Sequence, residues 1–207
     1  MKQLLDLATW ARKEHYHFFK QFSEPFFGIT TEIDCTIAYE KCKANKRSFF
    51  IYYMYQSLVA ANETEPFRYR IENDQVYIYD QTHASSTIDR ENGTFGFSYI
   101  DFYDTWEEFE KYAVIEIDRV RQSNSLMPAR LSENLIHYSS IPWIKFTSLS
   151  HARNFAFADS TPKITFGKMS LENNRRMLPV SIHVHHALMD GLHVGEFVNR
   201  YQELMNS

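Results

Sequence analysis

Two rhythms of apolar and polar positions run through this chain, and the changes between them mark its elements. Trp106, Phe109, Ala113, Ile117 and Val120 recur every three or four residues, the stripe of an amphipathic helix. Asp104 is placed to cap that helix, with Glu107 at the capping-box position. Residues 6–20 carry a similar period, with Asp6 as the expected cap. A short strand is expected over 29–34, after which Asp34 caps a helix running to about Ala44. Residues 49–62 are apolar on most faces and predict a deeply buried helix. FRYRI (67–71) and VYIYD (76–80) alternate instead, and the Glu72-Asn73-Asp74 turn between them predicts a hairpin. Further strands are expected over 95–102, 134–141, 161–169 and 179–186, before a closing helix from Gly191 to Met205. Helices and strands interleave without strict βαβ alternation. The expected fold class is therefore α/β, a two-layer sandwich with a mixed β-sheet.

No repeat, low-complexity tract or Pro/Gly-rich linker divides the sequence, so residues 1–207 are expected to form a single domain. Hydrophobic residues make up 44% and aromatics 16%, enough for a core with rings to spare for a pocket. A net charge of -4, with scattered basic residues, gives no electrostatic reason for a nucleic-acid or anionic-membrane partner. Cys35 and Cys42 are too few for a disulfide framework and lack a second pair for zinc. Asp6, Arg12, Lys13 and Glu14 interrupt any signal-peptide core, and Phe49 to Tyr55 is too short to span a bilayer. A cytoplasmic protein with no metal is the expectation.

The densest chemistry lies in PVSIHVHHALMDGLH, residues 179–193. Alternation along a strand sends His183 and His185 to one face and His186 to the other. Asp190-Gly191 then begins a helix, where a carboxylate is favoured by unpaired N–H groups. Three readings are open on spacing alone. The histidines are incidental to a capped helix start; His183 and His185 share a metal; or His186 is a catalytic imidazole, whose ordinary pKa near ~6.5 suits proton transfer.

The run from His185 through Val194 resembles the HHxxxDGxHV signature of the chloramphenicol acetyltransferases. Other markers follow in family order: Trp10-x-Arg12-x-Glu14-His15, Ser139-x-x-Pro142-Trp143, Thr165-x-x-Lys168 and Leu178-Pro179. The resemblance implies acetyl transfer from acetyl-CoA to a small-molecule hydroxyl, an antibiotic-resistance activity in that family. It implies His186 as general base, Ser139 as donor to the oxyanion, Thr165 as its support through a water, and Arg12 paired with Asp190 to pin the catalytic loop. Trp143 and Lys168 would lie along the pantetheine channel, although Trp143 also fits a core position. Phe18, Phe19, Phe27 and Phe95 would line the acceptor pocket. A homotrimer with active sites between subunits is implied as well.

The acceptor pocket departs from the family pattern. Phe19 stands where a tyrosine hydroxyl is often found, and His151, Arg153 and Lys163 replace residues that are usually apolar. Charges do not belong against an apolar antibiotic unless they turn outward. Two rival classes stand beside the transferase reading. A serine hydrolase would need a nucleophile elbow, and no G-x-S-x-G exists. A non-catalytic binding module of the same fold would bind ligand without releasing thiol from acetyl-CoA.

Overall fold

The computed structural model describes residues 1–155 and 159–207. Its elements in chain order are β1 (Lys2–Leu4), α1 (Lys13–Phe19), β2 (Phe26–Asp34), α2 (Thr36–Ala44), α3 (Phe49–Glu63), β3 (Tyr69–Glu72), β4 (Gln75–Tyr79), β5 (His83–Asp89), β6 (Phe95–Phe97), α4 (Trp106–Gln122), β7 (Leu135–Ser140), β8 (Lys163–Phe166), β9 (Ser170–Glu172), β10 (Arg175–His185) and α5 (Gly191–Met205). The main sheet runs β2-β10-β8-β7-β5-β6, with β9 also paired to β10. β5, β7 and β8 are mutually parallel and the remaining pairs antiparallel, so the sheet is mixed, as the element pattern predicted. β1, β4 and β3 form a separate small sheet. Among the described residues no helix is long and apolar enough to cross a membrane.

The two faces of the main sheet differ in chemistry. Ile136, Tyr138, Ile164, Phe166, Val180, Ile182 and Val184 point into a core shared with residues of α2, α3, α4 and α5. Their strand neighbours Ser139, Thr165, Ser181, His183 and His185 therefore lie on the opposite, polar face. Among the described residues α2, α3, α4 and α5 pack against the apolar face. The other presents hydroxyls and imidazoles in rows, because Ser139 is opposite Thr165 and Thr165 is opposite Ser181.

A smaller apolar cluster of Tyr16, Tyr69, Val76, Ala187 and Leu188 joins α1, the small sheet and the loop after β10. Arg70 ties the small sheet to the large one. Its buried guanidinium donates to the carbonyls of Phe67, Tyr69, Glu133 and Leu135.

Several sequence expectations shift in register. The helix expected over 6–20 begins only at Lys13, because the Asp6 carboxylate instead closes a turn on Ala8 and Thr9. α4 is capped by Thr105, whose hydroxyl accepts from Glu108, one residue beyond the expected Asp104–Glu107 pair. Cys35 occupies the cap position of α2, while the Asp34 carboxylate still accepts from the Thr36 N–H and hydroxyl. Of the strand expected over 95–102 only 95–97 is regular. β5 was not expected: HASSTID carries little aliphatic signal, because polar His83, Ser85 and Ser86 are buried in it alongside Ala84 and Ile88. The Asn73-Asp74 turn has φ of 50° and 61°, a left-handed pair that matches strand twist, and Asn173-Asn174 repeats it between β9 and β10.

Candidate active site

His186 is the first residue past β10, and every neighbouring group acts to fix it. Its N–H donates to Pro25 at 2.8 Å, and its carbonyl accepts from Arg12 Nη2 at 3.2 Å. Ala187 and Leu188, fully buried, anchor the chain that follows. The imidazole stacks on Phe19 with ring centres 3.9 Å apart and meets Phe27 at 4.6 Å. Its Nδ1 lies 3.2 Å from the Met189 carbonyl oxygen. A carbonyl only accepts, so Nδ1 carries a proton, and in the neutral ring the lone pair is then on Nε2. That is the tautomer a general base requires.

Arg12 and Asp190 form a hydrogen-bonded ion pair. Asp190 also caps α5: its Oδ1 accepts from Leu192 at 3.0 Å, and its own N–H donates to His193 Nδ1 at 3.1 Å. Burial pushes the Asp190 carboxyl up, but the Arg12 bond and charge, with the Leu192 N–H, outweigh it and hold the group below the ordinary carboxylate value. One guanidinium thus grips the carboxylate and the His186 carbonyl together.

Ser139 and Thr165 are elsewhere. Thr165, 1% exposed, is opposite Ser181 on β10, five residues before His186. At about 3.3 Å per residue this is roughly 16 Å along the strand. Ser139 is one strand further still, with Thr87 Oγ1 at 3.5 Å from its hydroxyl. The candidate base and the candidate oxyanion donors therefore do not meet within one chain. The aromatic candidates divide in the same way. Phe18 and Phe19 touch each other beside His186, where Phe27 also sits, whereas Phe95 belongs to β6 at the opposite edge of the sheet. Trp143 is 74% exposed, which removes the core alternative. Its loop is strapped to Lys168, whose N–H donates to the Ile144 carbonyl at 2.8 Å.

The sequence pattern that defines the chloramphenicol acetyltransferases matches residues 2–202. The chain is 30% identical to chloramphenicol acetyltransferase 3 of Escherichia coli, over 98% of this chain and 96% of that one. It belongs to the chloramphenicol acetyltransferase family. A Bacillus pumilus chloramphenicol acetyltransferase is 31% identical, over 92% of this chain and 87% of the relative. A solved chloramphenicol acetyltransferase structure superposes with a TM-score of 0.92 at 31% identity, covering 99% of this chain and all of that one. The protein is an acyltransferase of the chloramphenicol acetyltransferase kind.

Within this family setting, the polar face holds residues whose partners were not foreseen from the sequence. His151, Arg153 and Lys163 do not turn outward; with Glu24, Phe26 and His183 they line a cavity of about 230 Å³. Asp159 receives Lys163 at 2.5 Å, and Glu24 receives Arg153 at 2.8 Å. The i,i+4 spacing of Asp159 and Lys163 was a readable signal, but the Glu24–Arg153 pair spans 129 residues and left none. His185 does not line that cavity; its Nδ1 accepts from the Ala187 N–H at 3.2 Å, and burial pushes it down to about 4. Among the described residues no group of three or more His, Cys, Asp or Glu is placed to hold a metal.

Proposed function

We propose that the protein transfers an acetyl group from acetyl-CoA to a hydroxyl of a small, chloramphenicol-like or otherwise hydroxylated molecule. The observation that carries this reading is the His186 tautomer, with Nδ1–H held by Met189 and Nε2 available. Nε2 takes the proton of the acceptor hydroxyl as its oxygen attacks the thioester carbonyl carbon. The carbonyl electrons move to oxygen, and the Ser139 hydroxyl donates to that oxyanion, with Thr165 supporting it. The oxyanion then collapses, the carbon–sulfur bond breaks, and the imidazolium returns its proton to the departing CoA thiolate. Exposed Trp143 and Lys168, on two loops tied together, suit the mouth of a channel for the pantetheine arm.

His186 and Ser139 lie too far apart in one chain to act on the same atom, and this supports a site shared between copies. A homotrimer in which His186 of one subunit serves Ser139 and Thr165 of its neighbour satisfies the chemistry. Mixing tests it. His186→Ala and Ser139→Ala proteins, each strongly impaired, are denatured together and refolded; mixed trimers contain sites with both native residues and regain activity measured as CoA thiol release. If the mixture stays as inactive as its components, the shared site is wrong.

A further inference from the structure

Two carboxylate–guanidinium pairs bracket the backbone of His186. On its carbonyl side, Arg12 is paired with Asp190 and donates from Nη2 to the His186 oxygen. On its N–H side the partner is the Pro25 carbonyl, 2.8 Å away. The β2–β10 register ends with Phe26 opposite His185, so Pro25 lies one residue outside the strand. Its position is set by its flanks. Glu24 Oε1 accepts from the Phe26 N–H at 3.1 Å, which closes a turn around Pro25. The same oxygen accepts from Arg153 Nη1 at 2.8 Å.

The two members of this second pair are differently placed. The Arg153 side chain is only 11% exposed, and its guanidinium carbon lies 3.7 Å from the centre of the Phe26 ring. A planar guanidinium seated on an aromatic face is already oriented, so it loses little freedom when it grips a carboxylate. The Phe26 ring in turn meets His185 edge-on, with centres 5.3 Å apart. Glu24 is 47% exposed, and without Arg153 its carboxylate is free to turn into water. Arg153 thus converts a water-facing carboxylate into the fixed acceptor of the Phe26 N–H. The connection runs from Arg153 through Glu24 and Pro25 to the His186 peptide. It sets the backbone from which the imidazole projects. That placement matters, because the ring is also held by the Met189 carbonyl and by Phe19, and displacing the peptide displaces Nε2. A misplacement of about 1 Å can cost on the order of a hundredfold in rate.

We propose that Glu24 and Arg153 are positioning residues for His186, acting through the Pro25 carbonyl and completing from the N–H side the grip that Arg12 and Asp190 exert from the carbonyl side. The effect on turnover rests on the reading of His186 as general base; the effect on the His186 backbone does not. Amide hydrogen exchange of the whole protein, resolved at residue 186 by mass spectrometry, therefore comes first. Arg153→Met keeps an apolar stem over Phe26 and removes the donors. It is expected to speed exchange of the His186 N–H about tenfold while the amides of α3 exchange as in the parent. Glu24→Ala is expected to do at least as much, and Arg153→Met to add nothing in the Glu24→Ala background, because it acts only through that carboxylate. Should Arg153→Met fail to fold, Glu24→Ala, at a half-exposed side chain, carries the same readout. CoA thiol release with acetyl-CoA and chloramphenicol is then expected to show kcat about tenfold lower in each variant, with the KM for acetyl-CoA unchanged. Parent-like exchange at His186 in either variant overturns the proposal, and so does exchange accelerated equally throughout the chain. An Arg153→Met effect that persists undiminished beside Glu24→Ala overturns it too, by making Arg153 act without Glu24. Faster exchange at His186 with unchanged kcat would sink the positioning role. Faster exchange in the variants, with no thiol release even from the parent, would sink the acetyl-transfer reading and leave the structural link standing.

Discussion

Gly28 lies directly across the β2–β10 ladder from His183, and the imidazole fills the space that any side chain at position 28 would require. The ring is held from its other side by His151, so it has little room to swing away. Gly28→Ala is therefore expected to displace His183 and raise the acceptor KM by about tenfold, while the KM for acetyl-CoA changes little, since losing one polar contact costs about that much. Steady-state kinetics with each substrate varied in turn provides the check. An equal rise in both KM values would mean that the sheet as a whole had been disturbed.

Removal of the imidazole at 186 addresses the chemical step. His186→Ala is expected to lower kcat by roughly 10²–10⁴-fold, the usual contribution of general-base catalysis, with CoA binding retained. His185→Ala tests a buried ring whose Nδ1 accepts from Ala187, and its loss is expected to show mainly in thermal stability. Parent-like turnover in the His186 variant would falsify the mechanism.

Ser139→Ala is expected to reduce kcat by about 10²–10³-fold with little change in either KM, because an oxyanion donor acts on charge present only in the transition state. The pattern of the loss is decisive. A variant impaired in KM alone would make Ser139 a substrate-binding group.

Arg12 and Asp190 provide a test of coupling and of pH. Arg12→Ala and Asp190→Ala are each expected to lower melting temperature and activity, and the double variant to be little worse than either single, since the two side chains form one unit. The folded Asp190 carboxyl titrates below its ordinary value. Its contribution to stability is thus complete above the unfolded value of about 3.9 and disappears as pH falls through the lower folded value. Melting curves of the parent and Asp190→Asn should accordingly differ at pH 6 and converge in strong acid. A difference that persists at the acid end would detach the stabilising role from ionisation.

The sequence by itself determined the periodic elements and the family motif from His185 to Val194. The α4 stripe, the Asn-Asp hairpin and the helix from Gly191 to Met205 are written in local spacing, because 3.6-residue and two-residue periods are properties of a short stretch of backbone. His186 and Asp190 were legible for the same reason, being four residues apart at a strand-to-helix junction. β5 was not legible, since a strand of serines and threonines becomes stable only when its neighbours supply the ladder and the buried side. Only the tertiary structure decided which atoms meet. Met189 fixes the His186 tautomer through a backbone carbonyl, which has no side-chain signature. Glu24 meets Arg153 across 129 residues, and β10 separates His186 from Thr165 although the resemblance assigns both to one reaction. Local periodicity is encoded residue by residue, whereas the neutralised charges and the distance between base and hydroxyl depend on how distant strands are ordered in one sheet.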